Sequence, residues 1–339
     1  MPRPAHETTP EPQASEPCPA SGKQPIRAML VGAPKAGTTS LYRYAAQHPQ
    51  LCCHPQRELS YFFCDEEYGK DYDACTAKYF AKLNGQQTVP LAKHVFTMYC
   101  PNAIARLKDQ SPEAHVFALL RNPVRRAYSS FWYAKRRGWD AARTFEQAIE
   151  RENNHTTDHW LPDRDRMHLR VGVYYPHIKR LIETFGQDHV HIFLTEDLID
   201  NAGSLCQTIF EASGVDPAFT PDLTKDHNTA SAARSESAAR AIASVLKSKN
   251  PIKRAARKLI PHSLARRTRH ALLTLNEKPF TPPPMNQDTE LQLLDYFAPH
   301  NEQLADLIGR DLNEWSRESR GNRGSRGSRE TPGGRGSRT

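Results

Sequence analysis

Apolar residues in this chain fall into short continuous runs separated by stretches of helical period. Ile26 to Val31 (IRAMLV) is one such run, closed by Gly32, and predicts a buried strand. Thr38 to Gln47 follows with Leu41, Tyr44 and Ala45 at helical spacing. Pro101 opens a second helix over 102–108, and Val116 to Leu120 (VFALL) predicts a second strand. Pro123 stands at a first-turn position and starts a helix to Arg137. Val173 to Phe185 reads as a helix closed by Gly186, and Val190 to Leu194 (VHIFL) as a third strand. Gly203 to Ala212 packs after it as a further helix. Strands that are apolar throughout, alternating with helices, predict a parallel sheet covered on both faces. No internal repeat is visible.

The two ends break this pattern. Residues 1–24 are rich in Pro, Glu, Ser and Ala, and 316–339 are Arg, Gly and Ser repeats with nothing to bury. Both predict disordered segments around one folded unit, 25–315. Net charge is +8, but it is unevenly placed. Lys247 to His270 holds nine Lys/Arg and no acid, and 316–339 holds seven Arg against two Glu. The remainder of the chain is therefore acidic, so the whole is not a uniform nucleic-acid binder. No apolar run reaches the roughly 18 residues of a membrane span, and the first 24 residues lack a secretory apolar core. A cytoplasmic protein is expected. The seven cysteines contain no C-x-x-C pair, which argues against a disulfide framework and a structural zinc site. No His or carboxylate spacing predicts a metal.

The chemistry concentrates after the first strand, in Gly32-Ala33-Pro34-Lys35-Ala36-Gly37-Thr38-Thr39-Ser40. A glycine-bearing loop running into a helix N-terminus aims backbone N–H groups and partial positive charge at one point. Lys35 adds a full charge, and Thr38, Thr39 and Ser40 add hydroxyl donors. In an ATP-binding Walker loop, lysine follows the last glycine. Here Thr38 holds that place, and no strand ends in an Asp fit for Mg²⁺. A sulfuryl group carries one negative charge less than a phosphoryl group, so lysine and backbone dipoles can serve its transfer without metal. Arg121 ends the second strand at the carboxyl edge of the sheet, where such sheets bind ligands, and Ser129 lies two helical turns further. The pair suits a second phosphate; alone, Arg121 reads as a surface arginine.

Together these segments resemble the PAPS-dependent sulfotransferase superfamily, PAPS being 3′-phosphoadenosine 5′-phosphosulfate. GAPKAGTTSLY is similar to its 5′-phosphosulfate loop and LLRNPVRRAYSS to its 3′-phosphate motif. Arg57 to Phe63 (RELSYFF) resembles the K-E-x-x-F-F segment of bacterial carbohydrate and heparan sulfate sulfotransferases. Arg170 to Tyr174 resembles their R-G-x-Y helix start, Asn228 to Ser235 a cofactor-side segment, and Leu293 to Trp315 their C-terminal helix pair. The resemblance covers about residues 26–315. It implies a P-loop NTPase-like three-layer fold with a central parallel sheet. It also implies PAPS as donor and a hydroxylated acceptor, such as a carbohydrate or glycolipid. Lys35, Ala36, Gly37, Thr38, Thr39, Ser40, Arg121, Ser129, Tyr174 and Arg234 are implied on the cofactor side. Lys35, Glu58 and Lys93 are the implied catalytic residues, with Glu58 as general base beside Tyr61, Phe62 and Phe63. Ser60 stands where the family often has a histidine, and only Lys93 remains of a K-[ST]-P-x-Y motif.

Read without the resemblance, Glu58 is a loop carboxylate and Lys93 equally a surface lysine. His48, His54 and His94 read as polar surface residues, and Tyr42, Tyr44 and Trp132 as core. The basic segment 247–270 suits an anionic surface or a solvated helix. Two other functions stay open: a P-loop kinase for a small molecule, and a polyanion-binding module that uses the basic tail.

Overall fold

The computed structural model describes residues 25–54, 58–80, 88–155, 160–224, 231–233 and 277–316. The leader, Arg57, Arg234, the segment 247–270 and the tail beyond Ser316 lie outside the described residues.

Five parallel strands form the centre: β1 (Ala28–Gly32), β2 (Leu51–Cys53), β3 (Val89–Lys93), β4 (His115–Leu120) and β5 (Val190–Leu194). Their order is β2-β3-β1-β4-β5. β1 is buried along its whole length, as an apolar run in mid-sheet must be. The chain leaves β1 through helix α1 (Thr38–Ala45) toward β2. It crosses back over β1 from β3 to β4 through α4 (Pro101–Gln110), after the short helices α2 (Asp65–Tyr68) and α3 (Tyr72–Tyr79). Right-handed crossovers in opposite directions put α1 and α4 on opposite faces of the sheet. From β4 the chain runs through α5 (Pro123–Arg136), α6 (Phe145–Asn153) and α7 (Tyr175–Phe185) to β5, and α7 packs on α4. α8 (Thr195–Ser213) returns on the other face and packs on α1. The three-layer P-loop-like class expected above is thus the observed fold.

Several elements differ from expectation. β2 and β3 have no apolar run long enough to predict them, and β3 carries Pro90 inside the sheet. The helix expected from Val173 starts at Tyr175, after a 3₁₀ turn at Arg170–Gly172. α8 begins directly after β5 and kinks at Asn201. The expected C-terminal helix pair is one helix, α9 (Gln287–Ile308), then a 3₁₀ turn at Asn313–Trp315. A small antiparallel pair, β6 (Ser231–Ala233) and β7 (Glu277–Pro279), takes in part of the segment 228–235.

α5 is anchored by a buried polar network. Arg126 is fully buried, and its guanidinium donates to the carbonyl of His168. The His168 ring meets Asp140 at 2.9 Å, and Arg151 grips the same carboxylate at 2.7 and 2.9 Å. Burial alone would raise the Asp140 carboxyl, but the bonds from His168 and Arg151 outweigh it and hold it well below the usual carboxylate range. Buried Glu152 accepts the backbone N–H groups of His168, Leu169 and Arg170. Removing that carboxylate leaves three backbone donors unsatisfied, two of them buried. Glu152→Ala is expected to lower stability by about 3 kcal/mol in urea denaturation. A loss below about 1 kcal/mol would mean that water replaces the carboxylate.

Candidate active site

The loop after β1 is shaped by two close approaches. A Cβ on Gly32 would lie 1.8 Å from Met98 Sδ, and one on Gly37 would lie 2.8 Å from Leu198. Gly37 also adopts φ +103°, which side chains disfavour, and α1 begins there without a side-chain cap. The first N–H groups of α1 therefore stay available to a ligand anion. Lys35 itself holds φ 70°, a left-handed conformation rare for non-glycine residues. Bonds from outside the loop keep it there. Arg121 Nη1 donates to the Lys35 carbonyl at 3.2 Å. The Thr195 hydroxyl lies 2.8 Å from the Ala36 carbonyl and 3.0 Å from that of Leu120. Loop, β4 end and α8 start are thereby tied together at one edge of the sheet.

One cleft of about 1450 Å³ opens there. Lys35 through Ser40, Glu58, Arg121 and Ser129 all line it. Tyr174 does not; it is buried, and its hydroxyl donates to the Arg121 carbonyl at 2.9 Å. Lys35 Nζ lies 4.4 Å from the centre of the Tyr133 ring. Burial, then the charges of Arg136, Arg121, Arg137 and Arg126, lower its ammonium to about 8.

In the same cleft, Glu58 Oε1 pairs with Lys93 Nζ at 3.3 Å, and its Oε2 accepts the Val95 N–H at 3.2 Å. Lys93 also reaches Thr39 Oγ1 at 3.3 Å, joining the carboxylate to the first turn of α1. Lys93 is thus no surface lysine. Tyr61 and Phe62 are core residues, so the cover over Glu58 differs from the one expected. His48 and His94 are buried rather than superficial. Burial lowers His94 to about 4, which keeps it neutral at ordinary pH. Tyr44 and Trp132, expected in the core, line the cleft. Trp132 packs on Phe280 at 5.0 Å, and Tyr128 donates to the Pro283 carbonyl at 2.8 Å, holding the 280–285 segment beside α5.

These features have known counterparts. Residues 25–250 match the family model described as the sulfotransferase domain. The chain belongs to that family. A membrane-associated sulfotransferase, kil1, of Dictyostelium discoideum is 30% identical over 134 residues, 37% of this chain and 27% of that protein. The bifunctional heparan sulfate N-deacetylase/N-sulfotransferase 4 of Mus musculus is 24% identical over 202 residues, 56% of this chain and 22% of that protein. The matches thus span about a quarter of the length of these curated relatives. The crystal structure of a sulfotransferase from Alicyclobacillus acidocaldarius has the same fold, with TM-score 0.61 and 23% identity over 86% of this chain and 99% of that one. Family membership decides against the kinase alternative. Among the described residues, no helix is long and apolar enough to cross a membrane, and no three His, Cys, Asp or Glu are placed to hold a metal ion.

In this sulfotransferase-family chain, sequence reasoning missed Thr195, Tyr133, Arg136, Arg137 and Arg164. Thr195 gives no motif signal, because its partners are 159 and 75 residues away. Thr195→Val keeps the shape and removes both bonds, so it is expected to cost about 1–2 kcal/mol in thermal or urea unfolding. Thr195→Ser should restore most of the loss. Equal stability of all three would deny the hydroxyl its role in holding the loop.

Proposed function

We propose that the protein transfers a sulfuryl group from PAPS to an acceptor hydroxyl, with a carbohydrate or glycolipid as the class of acceptor. One observation carries this reading. An uncapped helix start with Lys35 and a strand-end Arg121 face one cleft from adjacent strands, and Arg121 is bonded to the backbone of Lys35. Two anion sites so linked suit a donor with phosphate groups at both ends. The donor's phosphosulfate would lie on Ala36 to Ser40 with Lys35, and its 3′-phosphate on Arg121 and Ser129. Tyr174 supports Arg121 from behind, and Arg234 is proposed as a further contact. The 25–315 unit is proposed to contain all of this chemistry, and the basic 247–270 segment and tail to meet an anionic surface.

Sulfuryl transfer requires an in-line approach, a base, and stabilisation of the leaving oxygen. As the sulfur–oxygen bond to the acceptor forms, the bond from sulfur to the bridging phosphate oxygen breaks. The acceptor proton passes to Glu58, and the electron pair leaves on adenosine 3′,5′-bisphosphate. Glu58 fits the role of base because Lys93 and the Val95 N–H fix its two oxygens while the side chain keeps a third of its exposure. Each oxygen retains a further lone pair for a proton. Lys93 links that base to Thr39, and Lys35 offers the charge for the leaving oxygen.

Two expectations test this. Glu58→Gln should lower turnover by roughly 10²–10⁴-fold and leave bisphosphate affinity unchanged, whereas Lys35→Ala should lower both. Single-turnover transfer from PAPS and calorimetric titration separate the two. Near-normal turnover of Glu58→Gln would remove the base assignment. The second concerns pH. Lys35 binds an anion only when charged, and its ammonium is lowered to about 8. Bisphosphate affinity should fall as pH rises from 7 through 8, with proton uptake on binding near pH 8. Affinity independent of pH from 7 to 9.5 would remove Lys35 from the anion site.

A further inference from the structure

The cleft holds more positive charge than the donor sites account for. Its walls carry six Lys or Arg side chains against three Asp or Glu. Two of the cations gather far from the 3′-phosphate motif. Arg136 and Arg137 lie seven and eight residues beyond Ser129, about 10–12 Å along α5 at 1.5 Å per residue. Both approach the ring that Lys35 approaches: their guanidinium carbons are 5.0 and 5.4 Å from the centre of Tyr133, against 4.4 Å for Lys35 Nζ. Trp139 meets the same ring edge-on at 5.7 Å and also lines the cleft. On the Glu58 wall, Arg164 stacks on Phe63 and Phe96 at 4.8 and 5.3 Å, leaving its guanidinium on the same cavity.

We propose that Arg136 and Arg137 bind an acidic group of the acceptor, so that the acceptor is an anionic hydroxyl compound bearing a carboxylate, sulfate or phosphate. The inference rests on the sulfuryl-transfer reading and narrows its substrate class. Three reasons favour the acceptor over the donor as the ligand of this pair. The donor's two anionic ends are met by the α1 start with Lys35 and by Arg121 with Ser129. The pair lies beyond the 3′-phosphate motif along α5, against the same ring as Lys35, which on this reading faces the sulfuryl group. Arginine also recognises planar and tetrahedral oxyanions in a forked, two-bond geometry, which gives position as well as attraction.

The test uses the full chain and ³⁵S-labelled PAPS. An extract of the source cells is split on an anion-exchange resin at neutral pH, and the flow-through and the salt eluate are desalted and offered separately as acceptors. Label is expected in the bound fraction. In Arg136→Gln/Arg137→Gln, the KM for that fraction should rise at least tenfold, with kcat changed less than threefold and bisphosphate affinity lowered by a clearly smaller factor than the rise in KM, since only the long-range field of the two charges reaches the donor. Arg136→Lys/Arg137→Lys, which keeps the charge, should recover part of the KM. Label confined to the flow-through overturns the anionic acceptor and leaves sulfuryl transfer standing. Bisphosphate affinity that falls as steeply as acceptor affinity, in a variant with an unchanged melting temperature, assigns the pair to the donor and overturns the inference. Absence of label in both fractions removes the sulfuryl-transfer reading and this inference with it. If the double variant does not fold, the fractionation arm decides alone.

Discussion

Everything at this site depends on holding like charges together. Lys35, Arg136 and Arg137 face one aromatic ring at 4.4 to 5.4 Å, so any two lie within about 10 Å, a separation that costs about 1.5–3 kcal/mol per pair at an effective dielectric near 20. That cost must be met by rigid structure, since a flexible cleft would relax it away. α5 carries Arg136, Tyr133, Ser129 and Arg125, and its buried Arg126 binds the His168 carbonyl. The His168, Asp140, Arg151 and Glu152 network then fixes the segment that faces α5. The depressed ammonium of Lys35 registers the same repulsion, after burial. An anionic ligand there would relieve it, so that the repulsion would add to binding energy.

Sequence patterns revealed the parts of the fold that obey local rules. β1, β4 and β5 are largely apolar because both faces of the sheet are covered, and Gly32 closes β1 while Pro123 follows β4. β2 is three residues long, and β3 contains Pro90, which argues against an interior strand when only the sequence is read. Both exist because β1 pairs β3 and β3 pairs β2 along residues far apart in the chain. The resemblance implies a helix pair in the C-terminal region, yet α9 continues as one helix through Pro299. Its burial of Leu293, Leu294, Phe297 and Leu304 against the core overrides the local cost of proline.

The candidate site divides in the same way. Lys35, Arg121 and Ser129 were legible because the loop and the strand-end motif are continuous in sequence. Glu58 was legible through resemblance, but its geometry was not. Its partner Lys93 lies 35 positions away, and the bond from Lys93 to Thr39 spans 54. His94 looks like any polar residue beside a lysine, and only the fold buries it against Phe63, 4.6 Å away. Arg136 and Arg137 look like ordinary charges at a helix end. Their convergence with Lys35 depends on β1 and β4 being neighbours, a fact of topology that no local window contains.

The two helices that serve the cleft meet it with opposite polarity. α1 presents its N-terminus, whose partial positive charge adds to Lys35 in drawing an anion onto the loop. α5 runs past the cleft and ends there, so Arg136 and Arg137 stand at its partial negative end. A cation at that end gains about 0.3–1 kcal/mol from the helix dipole. Repulsion within the cluster is larger, so the dipole offsets part of it and leaves a net demand for negative charge. At the α1 end dipole and lysine act together, and at the α5 end they oppose. On the proposed reading the loop is therefore the stronger anion site at neutral pH, while the arginine pair is a weaker one whose occupancy depends on the charge of the incoming molecule.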